Sequence, residues 1–464
     1  MTKQYDLVVI GAGPGGYVAA ARAASLGLKT AVVEKDPSLG GTCLHRGCIP
    51  TKALLHAADT FDEIKHAPRI GIKTAGVEVD WSEIQKYKAR IINSNAGGVA
   101  HLMKSKKIDV FNGFGSLKDK NTVVIKNEKE TQSISCKNIL LAVGSKPRDF
   151  PNTKASPRIL NSDTILELKQ IPGSLTIIGG GVIGIEFASI FSRFGTKVNI
   201  IEAMPRPLAP ADHACSKELQ TQLEKQGVNF YVNARVSKVS NKSEQAHVTF
   251  SDENGASLQI DSDYVLISIG RIPLTEGMGL ENTQVQLERG FVVVDGFMRS
   301  TEENIYAIGD CVNTPWLAHI ASKEGVIAVE KMAGLNPTAL NYEHTPSCVY
   351  SEPPVAWAGL TEEQAQERGL DFKVSKFDFM RNGKAGILLK NRGFVKFITD
   401  KKYGEILGVH IIGPQATELL AEPAFAMQME ATIDDIAATV HAHPTLYEAI
   451  YEAALNAVDQ AIHG

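Results

Sequence analysis

Cys43 and Cys48 stand closer together than any other cysteines in the chain, in a segment, Gly40 to Lys52, that reads GGTCLHRGCIPTK. A short loop between two thiols keeps the sulfurs near enough to close and reopen a disulfide. Cys48 runs directly into Ile49, Pro50 and the helical stretch KALLHAADTFDEI, and proline suits a first helical turn because its missing N–H would be unpaired there. A sulfur at a helix start, with Lys52 about a turn further on and His45 and Arg46 in the intervening loop, favours thiolate over thiol. Three other readings compete. A structural disulfide would gain little from so short a loop, and cytoplasmic thiols are kept reduced. A zinc site on Cys43, Cys48 and either His45 or His56 lacks a second ligand pair at the usual spacing. Two ordinary packing cysteines would not need flanking glycines and a proline. The other four cysteines, Cys136, Cys215, Cys311 and Cys348, stand alone, too sparse for a disulfide scaffold.

The elements that must carry this pair show an internal echo. Residues Asp6 to Glu34 read DLVVIGAGPGGYVAAARAASLGLKTAVVE, and Leu175 to Glu202 read LTIIGGGVIGIEFASIFSRFGTKVNIIE. Gly11, Gly13, Gly16, Gly27, Lys29 and Glu34 each find their own residue type 168 positions on, at Gly179, Gly181, Gly184, Gly195, Lys197 and Glu202. Each copy predicts a buried parallel strand, a glycine turn, a helix and a second strand. In a G-x-G-x-x-G turn the first glycine permits the bend, the second admits a pyrophosphate and the third lets helix and strand pack closely. The helix start offers unpaired N–H groups to the phosphates. In both copies the acid closing the second strand lies 18 residues after the last glycine, placed to accept hydrogen bonds from ribose hydroxyls. One such turn is weak evidence, but the duplicate in matching context implies two dinucleotide sites in an α/β protein.

Composition bounds the rest. At 464 residues and 44% hydrophobic, the chain has material for about three packed domains. With 48 basic against 52 acidic residues and no compact basic cluster, nucleic acid is not expected as a partner. No apolar run approaches the roughly 20 residues of a membrane span. The amino terminus shows neither an arginine-rich presequence nor a small-residue cleavage site, so a cytoplasmic or processed organellar protein is expected. Arg271 to Pro273 is expected to mark a boundary. Alternation in VKFITD and GEILGVHIIG beyond about Asn341 predicts an antiparallel sheet, followed by helices, in a separate third domain.

GAGPGG, Glu34, GGTCLHRGCIPTK, LLAVGS, the second glycine turn, GRIP, TEENIYAIGD and HAHPTLYE together resemble the pyridine nucleotide-disulfide oxidoreductases, end to end. The resemblance implies two Rossmann-like dinucleotide-binding domains plus a C-terminal α+β dimerisation domain. FAD binding would occupy residues 1–146 and 272–341, NAD binding 147–271, and the interface domain 342–464. It further implies that Cys43 exchanges with a dithiol substrate, protein-bound dihydrolipoamide, while Cys48 lies against the flavin, which passes hydride to NAD+. His443 matches the family base and Glu448 the carboxylate that orients it. Read alone, His443 before a proline would be a surface or capping histidine. Lys52 and Glu186 match a charged pair near the flavin, each otherwise a solvated helix residue. Gly11, Gly13, Gly16, Glu34, Lys52, Gly115, Asp310, Ala318 and His319 match FAD-lining positions. Gly179, Gly181, Gly184, Glu202, Val236 and Gly270 match NAD-lining ones, although Gly115, Val236 and Gly270 serve equally well as turn or core residues. No metal is implied. The implied partners are a second copy, with His443 working across the interface, and the lipoyl-bearing acyltransferase or H-protein subunits of 2-oxo acid dehydrogenase or glycine cleavage complexes.

Several positions depart from the family pattern. His45 and Arg46 stand where asparagine and valine are frequent, Leu274 replaces an asparagine, and Tyr447 replaces a serine. The ending AVDQAIHG lacks the carboxyl-terminal cysteine pair of mercuric reductases and large thioredoxin reductases. Two rival readings remain: a glutathione reductase-like enzyme of the same fold using NADPH, and a flavin-binding redox sensor without turnover. Glu202 predicts NAD over NADP, with Arg206 the one neighbour able to weaken that preference. His443-Pro444 is expected to be cis.

Overall fold

The run Leu7–Ile10 has no polar side chain, so a strand built from it must be covered on both faces. In the computed structural model, which describes residues 4–153, 156–242 and 244–463, it is. Leu7 and Val9 pack with Ala19, Ala20 and Ala23 of the helix Pro14–Ser25. Val8 and Ile10 point the other way, into a cluster with Leu117, Val123 and Ile125. Four strands, Asp109–Asn112, Thr30–Glu34, Gln4–Ile10 and Thr131–Leu141, lie side by side in that order, parallel throughout. Val9 sits opposite Val32 and Leu140. The TEENIYAIGD run supplies Ile305–Ala307, parallel to Thr131–Leu141, while Thr122–Lys126 and Phe114–Asp119 continue the sheet antiparallel. This sheet belongs to one compact unit made of the chain up to Ala53, Ser82–Arg148 and Gly270–Tyr342.

A second unit comprises Leu54–Trp81, Asp149–Ile269 and the chain from Glu343 onward. Its first sheet repeats the parallel pattern: Asn229–Tyr231, Lys197–Ile201, Ser174–Ile178, Tyr264–Ile267 and Ile159–Leu160. The helix Val182–Arg193 follows the second glycine turn, as Pro14–Ser25 follows the first. The mixed stretch before Gly270 contains a three-stranded antiparallel sheet, Arg235–Lys242, Gln245–Ser251 and Ser257–Ser262. VKFITD and GEILGVHIIG supply neighbouring antiparallel strands, Phe394–Asp400 and Ile406–Ile412, of a five-stranded sheet. The helix Glu448–Ala457 packs Ala449, Ile450 and Ala453 against Val395, Phe397 and Ile411 of that sheet.

Residues 54–81 cluster with this second unit for a visible reason. Phe61 stacks on Phe194, the Trp81 ring meets Phe191 and Phe194, and the Trp81 indole donates to Leu168 O at 2.8 Å. Asp59 adds an ion pair with the buried Arg193.

Candidate active site

The two glycine turns are the scaffold of the site, and their three glycines are glycine for different reasons. Gly11 has φ +101°, and a Cβ there would lie 2.3 Å from Ala142 O; a Cβ on Gly16 would lie 1.9 Å from Gly11 O. The second copy repeats this at Gly179 (2.5 Å from Ser268 O) and Gly184 (2.1 Å from Gly179 O). At these positions the fold itself demands glycine. The middle positions differ: a Cβ on Gly181 would meet nothing within 4 Å, and one on Gly13 only Gly41 Cα at 4.0 Å. Nothing in the protein requires glycine there, which fits a phosphate-bearing ligand resting on the backbone.

Both acids are tied into their turns. Glu34 accepts from Ala12 N (2.7 Å) and Asp36 N (2.8 Å), and Glu202 accepts from Gly180 N (2.6 Å) and Met204 N (2.7 Å). Each carboxylate is held beside its glycine turn with lone pairs left for a ribose.

The cysteines come to the first turn by way of two more glycines. Gly40 donates to Ala12 O at 2.9 Å, and a Cβ on Gly41 would sit 2.6 Å from Gly13 Cα. With φ +120° and +61°, this pair lets the chain press onto the dinucleotide turn and start a short helix, Gly41–Arg46, where a loop was expected. Cys43 lies on that helix and Cys48 opens the next, Cys48–His66. Gly47 joins them where a Cβ would be 3.1 Å from Thr42 O. The sulfurs hydrogen-bond to each other; that bond, burial and the charge on Cys48 push the Cys43 thiol far above its ordinary range, against the pull of Lys52. Of the two sulfurs, Cys43 is the one whose surroundings favour the protonated form.

His45 and Arg46 do not lend their charge in the way their types suggested. Arg46 Nη2 pairs with Asp36 Oδ2 at 2.6 Å, and His45 Nε2 lies 2.9 Å from Leu39 O. Both brace the strand-to-helix connection, and Lys52 is the cation acting on Cys43.

Sequence reading named Asp310, Ala318, His319 and Gly115 but not the contacts that hold them. Asp310 accepts from Ser145 Oγ, which also receives Arg271 Nε at 2.7 Å, while Arg271 Nη2 donates to Ser145 O at 2.9 Å. LLAVGS and GRIP, quoted above for resemblance, thus meet at Asp310. Gly309 N donates to the fully buried Glu324 at 2.7 Å, fixing the turn that presents Asp310. Ala318 and the exposed His319 open the helix Ala318–Met332. Gly115 is buried, and a Cβ there would meet Ile10 and Val33 at 3.0 Å. Leu274 pairs through its backbone, N to Gly144 O at 2.9 Å, where side-chain identity matters little.

In the second unit Glu186 is buried on the helix Val182–Arg193 and accepts from Tyr350 N at 3.1 Å. Val236 packs into the apolar cluster around Phe250. Gly270, assigned to the first unit, is exposed with φ +102° and accepts from Arg148 N at 3.0 Å. His443 Nδ1 is 2.8 Å from Glu448 Oε1, and Glu448 Oε2 accepts from Thr445 N at 2.9 Å. A proton on Nδ1 satisfies that contact and leaves Nε2 as the proton acceptor. The His443-Pro444 peptide is cis. The His443 side chain is 79% exposed in the single chain. Tyr447 packs against the core cluster of the five-stranded sheet.

Residues 5–325 match the sequence model of the pyridine nucleotide-disulphide oxidoreductases, and residues 345–454 match the dimerisation domain of that family. A dihydrolipoyl dehydrogenase of Bacillus subtilis (strain 168) is 43% identical over 475 residues, covering 100% of each chain. Among solved structures, LpdA of Mycobacterium tuberculosis superposes with TM-score 0.90 at 26% identity, over 97% of this chain and 99% of that one. The HOCl-induced flavoprotein disulfide reductase RclA of Escherichia coli, as its Cu(II) complex, gives 0.88 at 28%, over 98% and 99%. With the cysteine pair seated on the first glycine turn and both halves of the chain matched, the protein belongs to the pyridine nucleotide-disulphide oxidoreductase family.

Proposed function

We propose that this chain is a dihydrolipoyl dehydrogenase that reoxidises protein-bound dihydrolipoamide to lipoamide and reduces NAD+ to NADH. The observation that carries the reading is the Cys43–Cys48 pair, hydrogen-bonded sulfur to sulfur on a helix start that rests on a dinucleotide turn. His443 Nε2 takes a proton from one thiol of the dihydrolipoamide. The thiolate so formed attacks Cys43 of the oxidised pair, breaking the Cys43–Cys48 bond and leaving Cys48 as thiolate. The second substrate thiol then displaces Cys43, its proton passing to the departing Cys43 sulfur, closing lipoamide and leaving the protein two electrons richer. FAD, when bound, supplies the two-electron carrier between this dithiol and NAD+.

Gly11, Gly13, Gly16, Glu34 and Asp310 would hold the flavin dinucleotide, with Gly115, Ala318 and His319 lining it, and Lys52 and Glu186 are the charged residues proposed to act on it. Gly179, Gly181, Gly184 and Glu202 hold NAD, lined by Val236 and Gly270. The working form is a homodimer built through the matched dimerisation domain, in which His443 of one chain serves Cys43 of the other. That arrangement explains why the base stands open in a single chain. Its partners are lipoyl-bearing acyltransferase or H-protein subunits. No helix among the described residues is long and apolar enough to cross a membrane, and with sparse cysteines the cytoplasm is the proposed location.

A steady-state comparison of dihydrolipoamide with glutathione disulfide, each assayed with both nicotinamide cofactors, tests the reading. NAD+ reduction by dihydrolipoamide should dominate; efficient reduction of glutathione disulfide by NADPH would replace it with the rival enzyme.

A further inference from the structure

The loop after Glu202 is folded back onto the second glycine turn. Leu208 N donates to Gly180 O at 2.8 Å, and Pro207 Cβ lies 3.4 Å from where a Cβ on Gly180 would be. Arg206, next to Pro207, is therefore the cation nearest in sequence to the ribose-side acid, where a guanidinium would meet a ribose 2′-phosphate. Its side chain is turned away from that task. Nη2 donates to Ala209 O and Ala211 O, both at 3.3 Å, and Nη1 faces Glu363 Oε1 at 3.4 Å. Arg206 Nε and Glu363 Oε2 are buried without hydrogen-bond partners.

Glu363 is delivered from a distant part of the sequence and held firmly. It lies in the first turn of the helix Glu362–Glu367, which Thr361 and Gln364 start with a capping box. Glu362 N donates to Asp212 Oδ2 at 3.2 Å. Lys396 Nζ bridges the buried Asp212 (2.8 Å) and the solvent-facing Glu362 (2.6 Å). The helix start is thus anchored to the end of the Arg206 loop, and the Glu363 carboxylate stands opposite the guanidinium.

We propose that Glu363 is a positioning residue for coenzyme choice: it holds Arg206 against its own loop, so that the ribose side of the second dinucleotide site presents only the Glu202 carboxylate and excludes a 2′-phosphate. This rests on the dinucleotide reading of the second glycine turn. Removing the Glu363 charge frees Arg206 to meet the phosphate and removes a repelling anion, while the unphosphorylated ribose keeps its contact with Glu202.

Calorimetric titration of the full-length, FAD-loaded protein with adenosine 2′,5′-bisphosphate and with 5′-AMP measures this directly, without turnover. Glu363→Gln should tighten the bisphosphate by roughly tenfold or more, the scale of one hydrogen bond to a charged group, and leave 5′-AMP unchanged. Glu363→Asp should restore the original ratio, and adding Arg206→Gln to Glu363→Gln should erase the gain. Stopped-flow reduction of the bound flavin by NADPH relative to NADH should shift the same way, a readout that needs no dithiol substrate. An unchanged bisphosphate-to-AMP ratio in Glu363→Gln, or a gain that persists without Arg206, overturns the proposal. If the unaltered protein binds neither nucleotide, the dinucleotide reading fails, and this proposal with it.

Discussion

At the scale of single residues, the chemistry rests on which sulfur keeps the proton. The hydrogen bond to Cys48 and the burial of Cys43 push the Cys43 thiol up, and Cys48 stands at the positive end of a helix, so Cys48 is the sulfur proposed to carry the charge in the reduced protein. A long-wavelength absorption band from a Cys48 thiolate beside the flavin should therefore appear in the two-electron-reduced holoenzyme. It should vanish in Cys48→Ser; a band that survives would reverse the assignment of the sulfurs. His443 makes the complementary prediction. His443→Gln removes the acceptor for the dithiol proton and should lower dihydrolipoamide turnover by about 10²-fold or more, while flavin reduction by NADH persists because no thiol need be deprotonated. Glu448→Gln should give a smaller loss of the same kind. Partial burial raises the Glu448 pKa, but hydrogen bonds from His443 and Thr445 N–H outweigh that and hold it below its ordinary 4.5. Its support for the imidazole is therefore fully present above that value and fades only as pH falls through the lowered one. A pH–rate profile of Glu448→Gln beside the unaltered protein checks this, since loss of that support at neutral pH in the unaltered enzyme would contradict it.

At the scale of elements, the duplicated strand–turn–helix units were legible because glycine at fixed spacing has few other uses and β-branched runs have few other homes. Gly181→Ala should leave thermal unfolding nearly unchanged, since its Cβ enters open space, yet weaken NADH binding by roughly tenfold or more, the loss expected when backbone hydrogen bonds to a charged phosphate are disturbed. Gly184→Ala, whose Cβ would strike Gly179 O, should instead cost stability first, and unequal effects in the opposite order would undo the distinction. Contacts between remote segments were not legible. Arg271, Ser145 and Asp310 lie far apart in sequence, as do Asp212 and Lys396, and a lone Ser, Lys or Asp has too many ordinary surface homes to announce a buried partner. The helix Gly41–Arg46 was missed because glycines at both its ends read as a loop; its turns come from contacts with the first glycine turn. The Lys396 cluster gives the clearest test of those remote contacts. Lys396→Met strands the fully buried Asp212 carboxylate and should destabilise the protein by about 3–5 kcal/mol, measured by denaturant unfolding, with a smaller loss when Asp212→Asn is added. Burial lowers the Lys396 pKa, but bonds to Asp212 and Glu362 more than offset that, so it stays above its ordinary 10.5. Burial raises that of Asp212, but the bond from Lys396, joined in acid by a charge on His410 that burial holds off until low pH, brings it below 3.8. The cluster therefore stabilises fully between these ordinary values. Its contribution is lost as pH rises through the raised lysine value or falls through the lowered aspartate one.

At the scale of the whole molecule, the segment matched as a dimerisation domain exposes large apolar side chains that a solitary chain would not favour: Val440 is 96% and Phe425 67% exposed, and Met429 follows Phe425 by one helical turn. Phe425→Glu should convert the dimer to monomer by light scattering. Dithiol turnover should fall with it, while NADH-driven reduction of an artificial acceptor continues. A dimer that persists with the charge in place would move the interface elsewhere. The two dinucleotide turns and the antiparallel C-terminal sheet were written locally in the chain, whereas each compact unit gathers three separated segments. That gathering sets a timetable. On a ribosome the first strand, Gln4–Ile10, emerges early, but its unit lacks the strand Ile305–Ala307 and the helix Ala318–Met332 until more than half of the chain has been made. At roughly 5–20 residues per second, the half-made sheet waits on the order of ten seconds or more with an open edge and an uncovered apolar face. The newborn chain, more than the finished enzyme, is the form most in need of a chaperone's shelter.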